Sequence, residues 1–222
     1  MRVKYIFIFV IAILVGVLIP TSGAYADIAF AVKGGTLGAG IEGIKRINSM
    51  FNFRVGANAF QYEYDGTESE IEYDIDIDLL SFSALVDFFP FGSGFHITAG
   101  VMMGENELEF SAKPSSTYKI GDGTYTLPEV GSLTGKLDFD GVGPYAGIGW
   151  GNPFGKDKKW TLTMDIGVMI QGSPNADLSA NGTLAGNAAF LADLAREEDN
   201  LQNALEDYEF YPVIMVGLTY RF

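Results

Sequence analysis

His96 is the only histidine of the 222-residue chain. The nearest acid before it is Asp87, and Ser83 precedes that acid on the same parity. A hairpin turn centred on Phe91-Gly92 would set His96 directly opposite Asp87. Imidazole, carboxylate and hydroxyl are the parts of a hydrolytic triad, in which the carboxylate orients the ring and the ring takes the hydroxyl proton. The plainer reading is structural pairing in a packed polar interior, shared with Arg54, Asp165 and Glu42, because buried charges need partners. The sequence assigns no catalytic residue and no cofactor.

A second set of side chains has metal-binding chemistry. In IEYDIDIDLLSFSALVDFF, residues 71–89, Asp74, Asp76 and Asp78 alternate with Ile75 and Ile77, and in ENELEF the acids Glu105, Glu107 and Glu109 alternate in the same way. Carboxylate oxygens are the hard ligands that Ca²⁺ and Mg²⁺ take, but a good calcium cage gathers about 6–8 of them around one point. Period two spreads them along a strand instead. A divalent-cation collar is therefore the functional reading and a solvated acidic face the bland one, with no firm metal site. The chain has no cysteine, which removes thiolate chemistry and cysteine-held metals.

Strands must position these residues. Period-two alternation rich in Gly and aromatic residues predicts strands near 36–44, 50–64, 70–89, 95–112, 135–151, 160–172 and 208–222. The connections IKRINSM, FPFGSG and NPFGKDKK are short, whereas 65–69, 113–134 and 173–207 are long. Short turns at one end and long loops at the other are the pattern of an outer-membrane β-barrel, and single-chain bacterial barrels have an even number of strands. DIAFAVK at 27–33, followed by the hairpin signal Gly34-Gly35, supplies an eighth. A strand hidden within 173–207 is the alternative and would reverse the sidedness of everything before it. The fold class is all-β, a single antiparallel transmembrane barrel of eight strands. Within its long last loop, 183–207 carries a helical stripe of Leu184, Ala188, Leu191, Ala195, Leu201 and Leu205.

Arg2 and Lys4, an apolar run to Ile19 and the small-residue box Ala24-Tyr25-Ala26 predict a cleaved signal peptide over 1–26, leaving 27–222 as the barrel. Its removal leaves 12 basic against 28 acidic residues, a net charge of −16, which argues against nucleic acid as a partner.

The terminal stretch YPVIMVGLTYRF puts Ile214, Val216, Leu218, Tyr220 and Phe222 on one face. It resembles the last strand of bacterial outer-membrane barrels, whose terminal aromatic residue is read by the barrel insertion machinery; the resemblance places that end in the periplasm. GTLGAGIEGIKRI, GVGPYAGIGWGNP, MDIGVMIQGSP and the terminal stretch together resemble a family of small outer-membrane barrel proteins of Gram-negative bacteria. That likeness implies a fold and an outer-membrane location, with outer-membrane lipid and lipopolysaccharide as surroundings, and no activity. In the outer-membrane lipid A deacylases that a hydrolase reading would resemble, a His-x-Ser element stands where this chain has His96-Ile97-Thr98.

Counted upward from the aromatic residue at the turn end, with Trp150, Trp160 and Phe222 marking a girdle, the outward face keeps its parity but changes chemistry. It runs Phe88, Val86, Ala84, Phe82 and Leu80, then Asp78, Asp76 and Asp74; the next strand runs Phe95, Ile97, Ala99, Val101 and Met103, then Glu105, Glu107 and Glu109. About ten residues rising ~3.3 Å each at ~40° tilt climb about 25 Å, the height of a barrel's apolar band. The outside thus meets lipid below, and water and sugar above. The inward face inverts, polar below at Arg54, Asp87, His96 and Asp165, apolar above at Tyr62, Ile71, Tyr73, Ile75, Ile77, Leu108, Phe110, Leu137 and Phe139. The rival explanation is a β-bulge in each strand that turns the acids into the lumen.

Small barrels fill with side chains rather than open as pores, so the apolar upper interior is expected to close the barrel or to hold a small apolar ligand. The functional expectation is a non-enzymatic outer-membrane barrel with a structural or surface-interaction role. The alternatives are a transport or binding barrel for small apolar compounds, a narrow cation-preferring pore, and a lipid hydrolase.

Overall fold

Strict alternation gives each strand one face for the lumen and one for the surroundings, and the length of each alternating run sets how far the wall rises. A computed structural model describes residues 27–68, 71–114, 117–121, 123–139, 141–155, 159–205 and 208–222, without the side chains of 67, 68, 71–73 and 112–114. The expected signal peptide, and Ile71 and Tyr73 of the expected apolar interior, lie outside these described side chains.

The chain enters through β1 (Ile28–Gly35) and β2 (Gly38–Arg46), then three long strands, β3 (Phe51–Glu68), β4 (Ile71–Phe88) and β5 (Phe95–Pro114). A small hairpin follows, β6 (Thr117–Ile120) and β7 (Gly123–Thr126), with the short helix α1 (Leu127–Val130) and the strands β8 (Leu133–Asp138), β9 (Gly141–Trp150), β10 (Trp160–Ile170) and β11 (Asn175–Ala180). Helix α2 (Ala188–Leu205) and β12 (Phe210–Arg221) complete it. Eight strands pair antiparallel in the order β1-β2-β3-β4-β5-β9-β10-β12, and β12 pairs back onto β1, so the ladder runs around a ring.

The eighth strand expected at 27–33 is β1. A strand does lie within 173–207, but β11 pairs only with β8, outside the ring. The single strand expected at 135–151 is two. The lower half of β5 pairs with β9 and its upper half with β8, so the sheet forks. The single loop helix expected over 183–207 is α2, joined by α1 in the preceding long loop.

The fork makes the wall uneven. β3, β4 and β5 are 18 to 20 residues long, while β1 and β2 turn back at Thr36-Leu37, a turn that Gly38 permits with its φ of 84°. One side of the barrel therefore rises as a five-stranded extension, β3-β4-β5-β8-β11. Its last strand would be an open edge. Helix α2 covers it: the backbone N–H groups of Ala176 and Leu178 donate to Gln202 and Glu198, each at 2.9 Å.

The register of β4 against β3 and β5 is unbroken from Phe88 to Ile71. No bulge intervenes, so the acids above and the apolar residues below occupy one continuous outer face. Below, that face shows Val86, Ile97, Val101, Val142, Ile148, Leu162, Ile166, Val216 and Leu218 to the surroundings. At the turn end Trp160 packs on Tyr220 and Tyr220 on Phe222, at ring distances of 4.8 and 5.2 Å.

Candidate functional site: a filled lumen beneath an apolar cleft

The inner face is built in layers. Nearest the short turns, Lys33, Glu42, Arg54, Asp87, His96, Thr98 and Asp165 come from six strands of the ring and are all buried. The Arg54 guanidinium grips Asp165 with a fork, Nη1 to Oδ2 and Nη2 to Oδ1 at 3.2 Å each, the planar match that makes arginine suited to carboxylates. Its Nη2 lies 2.9 Å from Asp87 and its Nη1 3.3 Å from Glu42. Lys33 bridges Glu42 and Asp165 at 2.8 Å each.

Arg54, Asp87, His96 and Asp165 are thus brought together, but His96 is not opposite Asp87. The register sets Asp87 across from Thr98, whose hydroxyl donates to it at 2.8 Å. His96 instead meets Asp165 through Nε2 at 3.1 Å and the Gly94 carbonyl through Nδ1 at 3.3 Å. The hairpin turn is two residues longer than the one assumed from the sequence, its centre moved from Phe91-Gly92 to Gly92-Ser93, and this shifts the pair. The triad geometry is absent: His96 and Asp87 do not share a hydrogen bond, and Ser83 stands two inward positions above Asp87.

Glycines make room for this layer. A Cβ at Gly149 would fall under 3 Å from His96 Nε2 and Asp165 Oδ1. Gly149→Ala is therefore expected to break the His96–Asp165 contact and cost about 1–3 kcal/mol, as overpacking does, read as a lower urea midpoint of the lipid-refolded protein; an unchanged midpoint would show that the layer yields freely.

Above the charged layer lies an apolar one. Leu37, Leu85, Met102, Tyr145, Met169, Val213 and Met215 form a buried cluster, with Tyr211 packed against it. Among the described residues two small spaces border these layers, of about 30 and 10 Å³, a size for single waters.

On top of this plug the low side of the wall ends and the tall side continues, and a cleft of about 280 Å³ opens between them. Ile77, Leu79, Leu108 and Phe139 line it from the tall side, Phe210, Tyr211 and Pro212 from the start of β12, with Tyr208 beside them. Of the expected apolar interior, Ile77, Leu108 and Phe139 line this cleft. Leu137 is buried, whereas Ile75 and Phe110 are half-buried above it. Tyr62 is not enclosed: it is 50% exposed, stacked on Phe60 along the open inner face of the extension.

The crystal structure of CarO2 from Acinetobacter baumannii resembles this chain with a TM-score of 0.63 and 21% identity, over 88% of this chain and 98% of that one. For CarO of the same organism the values are 0.59, 17%, 90% and 100%. The fold is that of an outer-membrane β-barrel. No protein-family model matches the sequence, and no match was found among curated proteins.

The acids of the possible collar lie on the outer face of the extension. Asp76 is directly opposite Glu109, and Asp78 opposite Glu107, like-charge pairs that repel. Lys136 relieves part of this, 3.0 Å from both Glu107 and Asp138; hydrogen bonds to Asp138 and then Glu107 hold its ammonium above the usual lysine range. Glu105 lies one inter-strand step below, opposite Leu80, and Asp74 accepts from Ser111 at 3.2 Å. Among the described residues no three acidic side chains converge on a point that would hold a metal ion.

Sequence reasoning missed the plug. Its members occupy inward parities on β4, β5, β9, β10 and β12, so the signal was present, but the polar neighbours drew the attention. It also missed Lys33, hidden in the strand assigned last, and Asn106 and Gln171 at the cleft, which no periodicity marks.

Proposed function

We propose that the protein resides in the outer membrane of a Gram-negative bacterium as a non-conducting, non-enzymatic barrel that binds small apolar compounds in its rim cleft. The turn end faces the periplasm and the loop end the outside, with the insertion machinery reading the last strand at Phe222. The cleft over the filled lumen carries the reading. A cavity of ~150 Å³ lined by apolar side chains holds benzene, so the 280 Å³ here suits a body of roughly ten to twelve heavy atoms by the same measure. The non-enzymatic part is supported by His96 and Asp87 both being committed to structural partners.

Naphthalene is a suitable probe. The protein in lipid nanodiscs is expected to bind it saturably above what empty nanodiscs take up, and Leu108→Trp, which fills the cleft, to weaken this at least about tenfold. Uptake equal to that of empty nanodiscs would remove the reading.

A surface-interaction role is the second reading, favoured by one observation. Tyr118, Ile120 and Val130 of the long β5–β8 connection pack with Phe190 and Leu194 of α2 into a core separate from the barrel's. This small module stands at the loop end, where a partner at the cell surface would meet it.

A further inference from the structure

The cleft is not uniformly apolar. Two carboxamides line it, Asn106 on β5 and Gln171 just past the end of β10. Asn106 sits on the inward parity between Gly104 and Leu108, across from Leu79, and is only 6% exposed. No hydrogen bond to another described side chain ties up its carboxamide, which borders the cleft. Gln171 is held by its backbone, whose N–H donates to Glu209 at 2.9 Å, while its side-chain Oε1 is buried without a hydrogen-bond partner. Buried polar groups without partners are few in folded proteins, and leaving one unmet costs free energy that a ligand group can return.

The charge around the cleft is one-sided. Glu107 stands at its rim, and the neighbouring cation, Lys136, is already shared between Glu107 and Asp138. Among the described residues no Lys or Arg lines the cleft. An anionic head would enter next to a carboxylate with no cation to receive it, whereas a carboxamide both donates to and accepts from a neutral hydroxyl.

We propose that the cleft selects uncharged amphiphiles, an apolar body carrying a hydroxyl, with Asn106 as the hydrogen-bonding residue for that hydroxyl and Gln171 as a second carboxamide beside it. The inference rests on the binding reading above and adds the polarity of the ligand. The position fits such a molecule. Outward residues of β10 and β12 are apolar up to Ile170 and Phe210, and the cleft begins where they end, at the level where an amphiphile in the outer leaflet keeps its hydroxyl.

Three naphthalene probes of one shape separate the possibilities: naphthalene, 2-naphthol and 2-naphthoate, titrated into the full barrel in nanodiscs at a pH where naphthol is neutral and naphthoate ionised. The expected order is 2-naphthol tightest, by about three- to tenfold over naphthalene as one hydrogen bond provides, and 2-naphthoate weakest. Asn106→Leu, near in volume, is expected to abolish the naphthol preference while leaving naphthalene binding in place, which also reports that the variant is folded. Gln171→Met is expected to reduce the preference by less. Naphthalene and naphthol binding equally, or a preference that survives Asn106→Leu, would overturn the inference and leave apolar binding standing. Tightest binding of naphthoate would overturn it as well. Saturable binding of none of the three would overturn both readings together.

Discussion

Arg54→Met is expected to destabilise the barrel by about 3–5 kcal/mol, the cost of leaving buried charges without their partner. Arg54 answers three carboxylates at once, Glu42, Asp87 and Asp165; without it Lys33 alone would face Glu42, and Lys33 and the His96 ring would face Asp165. Asp87 would keep the Thr98 hydroxyl alone. Methionine preserves most of the arginine stem's volume, so the loss reports charge and hydrogen bonding rather than a cavity. Arg54→Lys is expected to recover part of it, because a point charge cannot reproduce the fork on Asp165. The measurement is urea unfolding of the protein refolded in lipid vesicles, followed by tryptophan emission. Adding Asp165→Asn to Arg54→Met should cost less than the two single changes summed, since the second removes a charge that the first has orphaned. An Arg54→Met midpoint equal to the parent's would show that water enters the lumen and solvates the carboxylates, and the filled-lumen reading would go with it.

The strands were legible because period two survives in lipid and in water alike, and so did the place where the outer face turns acidic. What the sequence hid has physical causes. The fork of the sheet at Phe139 depends on which strand β5 chooses to pair with above Met103, and nothing in the local alternation of 135–151 distinguishes one partner from two. The position of His96 depended on two residues of turn length after Phe88, a shift that moves every pair while leaving each side chain on its own face. The upper inner face reads as apolar in the sequence, but alternation tells which way a side chain points and not whether another wall stands opposite it. Tyr62 and Ile77 share a face and even pair across the strands, yet one is half exposed and the other lines a cleft. The difference lies with β12 and Phe139, far off in sequence. Asn106 and Gln171 could be singled out only after the apolar surroundings were known, because a carboxamide gains meaning from what it is denied.

In a planar bilayer the refolded barrel is expected to be silent in potassium chloride, with or without calcium. A conducting lumen needs a continuous water path wide enough for an ion with part of its hydration shell. Here the two layers leave separate spaces of about 10 and 30 Å³, and between the upper one and the cleft stand the side chains of Leu85, Met102, Tyr145, Met169 and Met215. The charged layer alone would not exclude cations, since three carboxylates face two fixed cations and His96; the apolar layer excludes them by offering no ligand to replace lost water. The glycines show that this filling is built into the backbone. A Cβ at Gly147 or Gly167 would meet the Tyr145 hydroxyl under 3 Å, so both strands have given up side chains to let one tyrosine lie across the lumen. Discrete, cation-preferring steps from protein whose folding is confirmed by its heat-sensitive gel mobility would mean that this layer opens in the membrane. They would make a narrow cation pore the leading function, with the cleft as its vestibule. Silence from folded protein leaves the cleft as a site that a ligand reaches only from the loop end or the surrounding leaflet, and the naphthalene titrations then decide what it takes.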